Sequence, residues 1–92
     1  MTDADKEAPD LLQFPCDFPV KIMGRSDPAF LPAMLTLARS HFPDFSEQNI
    51  EMRNSSGGRY LGITLNVRAE SRAQLDAFYR SLTGHPLVKV VL

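Results

Sequence analysis

Ninety-two residues, 43% of them apolar and 23% charged, fit one small soluble domain and exclude disordered, fibrous or multidomain organisation. A net charge of −1, with ten basic residues spread along the chain, withholds the electrostatic attraction on which nucleic-acid binding mostly rests. The single cysteine rules out an internal disulfide, no Cys/His spacing suggests zinc, and no apolar run reaches membrane-spanning length, so a cytoplasmic protein without metal or cofactor is expected.

Residues 1–10 are acidic, small and polar, without a signal peptide's basic start and apolar stretch, and are expected to form a disordered tail ahead of a domain over 11–92. In 18–24, Phe18, Val20 and Ile22 fall on one side of a strand and Lys21 and Met23 on the other. Pro15 and Pro19 place the entry to that strand outside the ladder or at its start. Gly24 ends the strand where the chain turns.

Ser26 and Asp27 offer N-caps ahead of Pro28, and Phe30, Met34, Leu37, Ala38 and His41 recur at helical spacing until Pro43. Because Pro32 lacks a backbone donor, regular helix is expected from about Phe30. A second strand over 48–54 has Ile50 and Met52 as its inward pair, on the weakest alternation of the four strands. The Gly57-Gly58 pair marks a hairpin turn. Beyond it, Leu61, Ile63, Leu65 and Val67 alternate with Tyr60, Gly62, Thr64, Asn66 and Arg68, the clearest strand in the chain.

Ser71 and Gln74 form a capping box, after which Leu75, Phe78, Tyr79 and Leu82 make an apolar stripe that stops at Gly84. In the terminal strand, Val88, Val90 and Leu92 are assigned inward, leaving Leu87, Lys89 and Val91 on the opposite side. The order strand, helix, strand, strand, helix, strand is that of an α+β ferredoxin-like sandwich, a four-stranded antiparallel sheet with both helices on one face. The first and last strands are expected in the middle of the sheet.

Phe14-Pro15, Phe18, Lys21 and Met23-Gly24 near the start, Ser55-Ser56, Gly58 and Tyr60 in the hairpin, and the Val-x-Val-Leu-like end resemble the YbeD-like family of small uncharacterised bacterial proteins. The resemblance implies a cytosolic protein of ferredoxin-like fold, similar in shape to the ACT-type regulatory domains that sense amino acids and pair through their sheets. It also implies a link to lipoate metabolism, since family members often lie near lipoate-attachment genes. Gly57 departs from relatives that carry lysine there, so a charge at the hairpin tip is not required.

Lys21, Met23, Tyr60, Thr64, Arg68, Leu87 and Val91 are assigned to the sheet face that the helices leave open, more apolar than solvent contact alone requires. Ser55, Ser56, Gly58 and Arg59 are a second candidate, an anion nest, although phosphate loops precede helices and this segment precedes a strand. His41, at a helix end that suits a cation, and His85, in a turn, have no sequence-local catalytic partner. Cys16, beside Asp17, has no basic neighbour to activate it as a nucleophile, and the scattered carboxylates share no pocket. The expected function is non-enzymatic: a regulatory or adaptor module that contacts a protein partner, or a second copy of itself, through the open face or an edge. Sensing of a small molecule at a dimer interface is the alternative, and no nucleic-acid or membrane partner is expected.

Overall fold

The computed structural model describes residues 13–92; the expected tail over 1–10 lies outside the described residues. The chain runs β1 (Cys16–Arg25), α1 (Phe30–His41), a 3-10 turn (Glu47–Asn49), β2 (Ile50–Asn54), β3 (Tyr60–Ala69), α2 (Arg72–Thr83) and β4 (Val88–Val91). This is the βαββαβ order of the ferredoxin-like α+β fold, with all four strands antiparallel to their neighbours in one sheet.

The strand order is β2-β3-β1-β4, which corrects the expected central pair: the first and third strands lie in the middle and the last is an edge. The tight hairpin fixes β2 beside β3, and β3 pairs along its whole length with β1. The α2 crossover therefore delivers β4 to the free side of β1. Pro19 sits inside central β1, against the expectation that it precedes the ladder. Odd-numbered residues of β1 direct their backbone groups toward β4, as the Leu92 N–H donating to the Lys21 carbonyl (2.8 Å) and the Arg25 N–H donating to the Leu87 carbonyl (3.3 Å) show. Two residues before Lys21, Pro19 faces a stretch that Val88–Val91 does not reach, so no ladder partner misses its N–H.

Helix α1 begins at Phe30, where Pro32 is the third residue and its missing donor is one that no helix start can satisfy internally. Ala29 holds the N-cap position without a side-chain cap, while the Asp27 carboxylate accepts from its N–H (2.8 Å). Ser46 caps the 3-10 turn by accepting from the Gln48 N–H (3.2 Å), so β2 starts at Ile50 rather than at residue 48. Ser71 caps α2 through the Gln74 N–H (3.1 Å). Gln74 does more than complete that cap: its Oε1 accepts from the Glu70 N–H (2.6 Å) and its Nε2 donates to the His41 carbonyl (2.8 Å), tying the end of α1 to the start of α2.

Both helices close one face of the sheet over a core of Val20, Ile22, Phe30, Met34, Ala38, Ile63, Leu65, Val67, Leu75, Phe78 and Leu82, with Phe42, Phe45 and Ala69 also buried. Phe42 meets Phe78 edge to face at 5.1 Å between ring centroids. Met52 shares the helix side of the sheet, opposite Ile63, yet is 56% exposed, because on edge strand β2 it extends beyond the cover that the helices give the centre.

Candidate functional site

The open face is assembled from alternate residues of four strands. Across β1 and β3 the register sets Asp17 opposite Arg68, Lys21 opposite Thr64, Met23 opposite Gly62 and Arg25 opposite Tyr60. On the far side of β3, Glu51 lies opposite Thr64 and Arg53 opposite Gly62. On the far side of β1, Val90 lies opposite Met23, and Leu92 is bonded beside Lys21. Lys21, Met23, Tyr60, Thr64 and Arg68 thus share one face, as their alternation predicts.

Leu87 and Val91 do not join them. The pairing of β4 with β1 shifts between Met23 and Gly24, so that Val90 opposes Met23 but Val88 opposes Gly24, with Lys89 as the extra residue. The bulge reverses the expected facing: Val91, opposite Ile22, packs against the core together with Leu87 and Val88, while Val90 turns outward. The exposed apolar groups of the face are therefore Met23 (39%), Tyr60 (39%), Val90 (44%) and Leu92 (71%).

Gly62 stands at the middle of this surface without a side chain. The resulting hollow, about 530 Å³, is lined by Lys21, Met23, Arg53, Gly62, Thr64 and Leu92 among others. Its carboxylates are engaged: Asp17 pairs with Arg68 (3.3 Å) and Glu51 accepts from the Asn66 amide (3.3 Å). Lys21, Arg25 and Arg53 meet no carboxylate within salt-bridge distance among the described residues. The face thus combines an apolar strip with cations whose charge is left uncompensated.

The hairpin adjoins one corner of it. Gly57 and Gly58 occupy the left-handed region (φ 88° and 72°), which makes the turn possible. Ser55 spends its hydroxyl on the Tyr60 N–H (3.0 Å) and its carbonyl on the Gly58 N–H (2.9 Å), so both groups serve the turn. Ser56 is exposed at the tip. Gly58 and Arg59 line a smaller hollow with Arg25, Ser26, Asp27 and Tyr60. Ser55 and Ser56 are not among the residues lining either hollow.

The remaining reactive groups lie elsewhere. His41 Nε2 is 3.1 Å from the Ser81 hydroxyl, and its ring rests against Phe78. His85 Nδ1 accepts from the Leu87 N–H (3.1 Å), which shapes the turn into β4. Cys16 is half-buried. Burial pushes the Tyr79 hydroxyl above its ordinary value of 10.0. Among the described residues no three His, Cys, Asp or Glu side chains converge as metal ligands, and no polar or charged residue is buried. No helix among them is long and apolar enough to cross a membrane.

Arg25, Arg53, Glu51, Val90 and Leu92 complete the face without having been singled out in the sequence. Continuing the alternation of β1 by one step finds Arg25, and pairing β2 through the hairpin finds Glu51 and Arg53. The bulge that exposes Val90 leaves no such signal.

The profile of a family described as "Protein of unknown function (DUF493)" matches residues 9–92. Over 82 residues the chain is 55% identical to a UPF0250 protein of Paraburkholderia phytofirmans, covering 89% of this chain and 92% of that relative. A UPF0250 protein of Ralstonia nicotianae is 50% identical over 91 residues, 99% of this chain and 94% of its own. One of Leptothrix cholodnii is 47% identical over 92 residues, the whole of both chains. These matches bear out the resemblance to YbeD-like proteins carried by the motifs of β1 and the hairpin.

Proposed function

The chain belongs to the DUF493 family, and we propose that it is a cytoplasmic adaptor or regulatory domain that acts by protein contact through the open sheet face rather than by catalysis. One observation carries this reading: Met23, Val90 and Leu92 form an exposed apolar strip directly beside the uncompensated cations Lys21 and Arg53. Water solvates such a strip at a free-energy cost, and a partner that covers it recovers about 25 cal/mol for each Å² of apolar surface buried. A photo-crosslinking side chain placed at Val90 in living cells tests the proposal against one placed at Asp76, exposed on α2. A discrete adduct from position 90 and none from 76 is the expected result; equal labelling from both positions, or none from either, refutes it.

The hollow over Gly62 supports a second reading, sensing of an amino acid or lipoyl compound whose carboxylate sits between Lys21 and Arg53. A ligand present at about a hundred times its Kd stabilises the fold by roughly 2.7 kcal/mol, so a melting-temperature screen over these compounds distinguishes it. A flat screen leaves the contact reading alone.

A further inference from the structure

We infer that the partner seated on the open face is an amphipathic α-helix of another protein, its apolar stripe flanked by acidic residues; this rests on the docking reading above and names its occupant. The backbone groups of central strands β1 and β3 are committed to the sheet, so the face offers side chains alone. An extended segment laid across it leaves its own N–H and C=O groups unpaired against an apolar strip, whereas a helix satisfies them internally. Extended segments suit the edges instead.

The relief of the face fits the same occupant. Along β3 the outward residues are Tyr60, Gly62, Thr64 and Asn66, lowest at Gly62. Arg53 and Met23 stand on either side of that glycine, opposite it on β2 and β1. Two strand spacings separate these walls, about 10 Å, close to the roughly 10–12 Å width of a helix with its side chains. One wall continues into Val90 and Leu92, which meet an apolar stripe, while Lys21 and Arg53 lie where flanking carboxylates fall. The opposite sheet face is already covered by α1 and α2, and a third helix here makes the sheet a middle layer. Single-stranded RNA fits less well, because Tyr60 alone supplies a stacking surface on this face.

Four synthetic probes test the inference on the full 92-residue chain, followed by its amide NMR spectrum. The first is a helix of about 18 residues with leucine at i, i+3, i+4 and i+7 and glutamate flanking the stripe. The second carries lysine for glutamate, the third has the first's composition with interior prolines that prevent a helix, and the fourth is a uridine oligonucleotide. Saturable shifts at Lys21, Met23, Gly62, Thr64 and Leu92 are expected with the first probe alone. Lys21→Glu/Arg53→Glu, two exposed substitutions that leave thermal melting unchanged, weaken that binding about tenfold and admit the lysine helix. Equal binding of the two helices, tighter binding of the proline peptide or oligonucleotide, or shifts confined to the edges Ile50–Asn54 and Val88–Val91 overturn the inference. Binding of a probe other than the first at the open face removes the acidic helix but retains the docking surface. No shift with any probe, or concentration-dependent shifts without one, removes the helix and, with a negative crosslinking result, the docking reading as well.

Discussion

Gly24→Ala isolates the tightest point of the fold with the smallest possible change. A methyl group there is built 2.5 Å from Cζ and 2.8 Å from Cε1 of the fully buried Phe30 ring, and closer still to the Leu87 carbonyl. Neither neighbour yields freely: Phe30 fills the core under α1, and the Leu87 carbonyl accepts the Arg25 N–H beside the bulge. Overpacking a well-filled site costs about 1–3 kcal/mol, and contact with fixed backbone places this case at the upper end. The reduced entropy of the unfolded chain returns about 0.5 kcal/mol, leaving a net loss of roughly 2–3 kcal/mol. In a domain whose whole stability is about 5–10 kcal/mol, that lowers Tm by roughly 10–20 °C. Gly62→Ala is the matched control, since its added carbon meets only the Arg53 carbonyl at 3.5 Å, an ordinary contact, and should change stability by less than about 1 kcal/mol. Urea unfolding of the two variants, followed by far-UV circular dichroism, gives the comparison. A Gly24→Ala loss no larger than that of Gly62→Ala would show that β1 and the turn into β4 are packed less tightly than described.

Gly58→Ala has nothing within 4 Å to collide with, so its cost is conformational alone, about 1–2 kcal/mol for a left-handed alanine; unfolding with an unchanged m-value checks it. Gln74→Ala removes the bridge from the start of α2 to the His41 carbonyl as well as the Glu70 contact, and should cost about 1–2 kcal/mol, with hydrogen exchange rising at the end of α1. Asp17→Asn breaks an ion pair whose side chains are 82% and 59% exposed, so its stability should stay within about 0.5 kcal/mol of the parent in the same unfolding assay. For Tyr79 the folded chain holds the proton more tightly than the unfolded one, so stability is lost as pH rises past about 10, and Tyr79→Phe should make that alkaline decline shallower in pH-dependent melts.

How far the fold was legible from the sequence follows from which signals are local. The alternation of β3, the helical stripes, the Ser71 cap and the glycine pair of the hairpin are properties of a few neighbouring residues, and each appears in the structure. Strand order is not local: two interleaved crossovers leave the middle of the sheet to whichever strands pair over the greatest length, which here are β1 and β3. Edge position likewise decides the exposure of Met52, whose parity is correct but whose strand lies beyond the helices' cover. The largest revision concerns β4. In a continuous apolar run, Leu87-Val88-Lys89-Val90-Val91-Leu92, period-two alternation contains no reason to skip a residue. The reason resides in Gly24, where the close approach of Leu87 and Phe30 leaves no space for a side chain and the register with β4 breaks. One crowded glycine on β1 thus accompanies the transfer of Val90 to the open face and of Leu87 and Val91 to the core. The apolar strip from which docking is argued therefore depends on packing beneath the sheet, and restoring regular pairing of β4 should weaken contact through the open face without altering any residue exposed there.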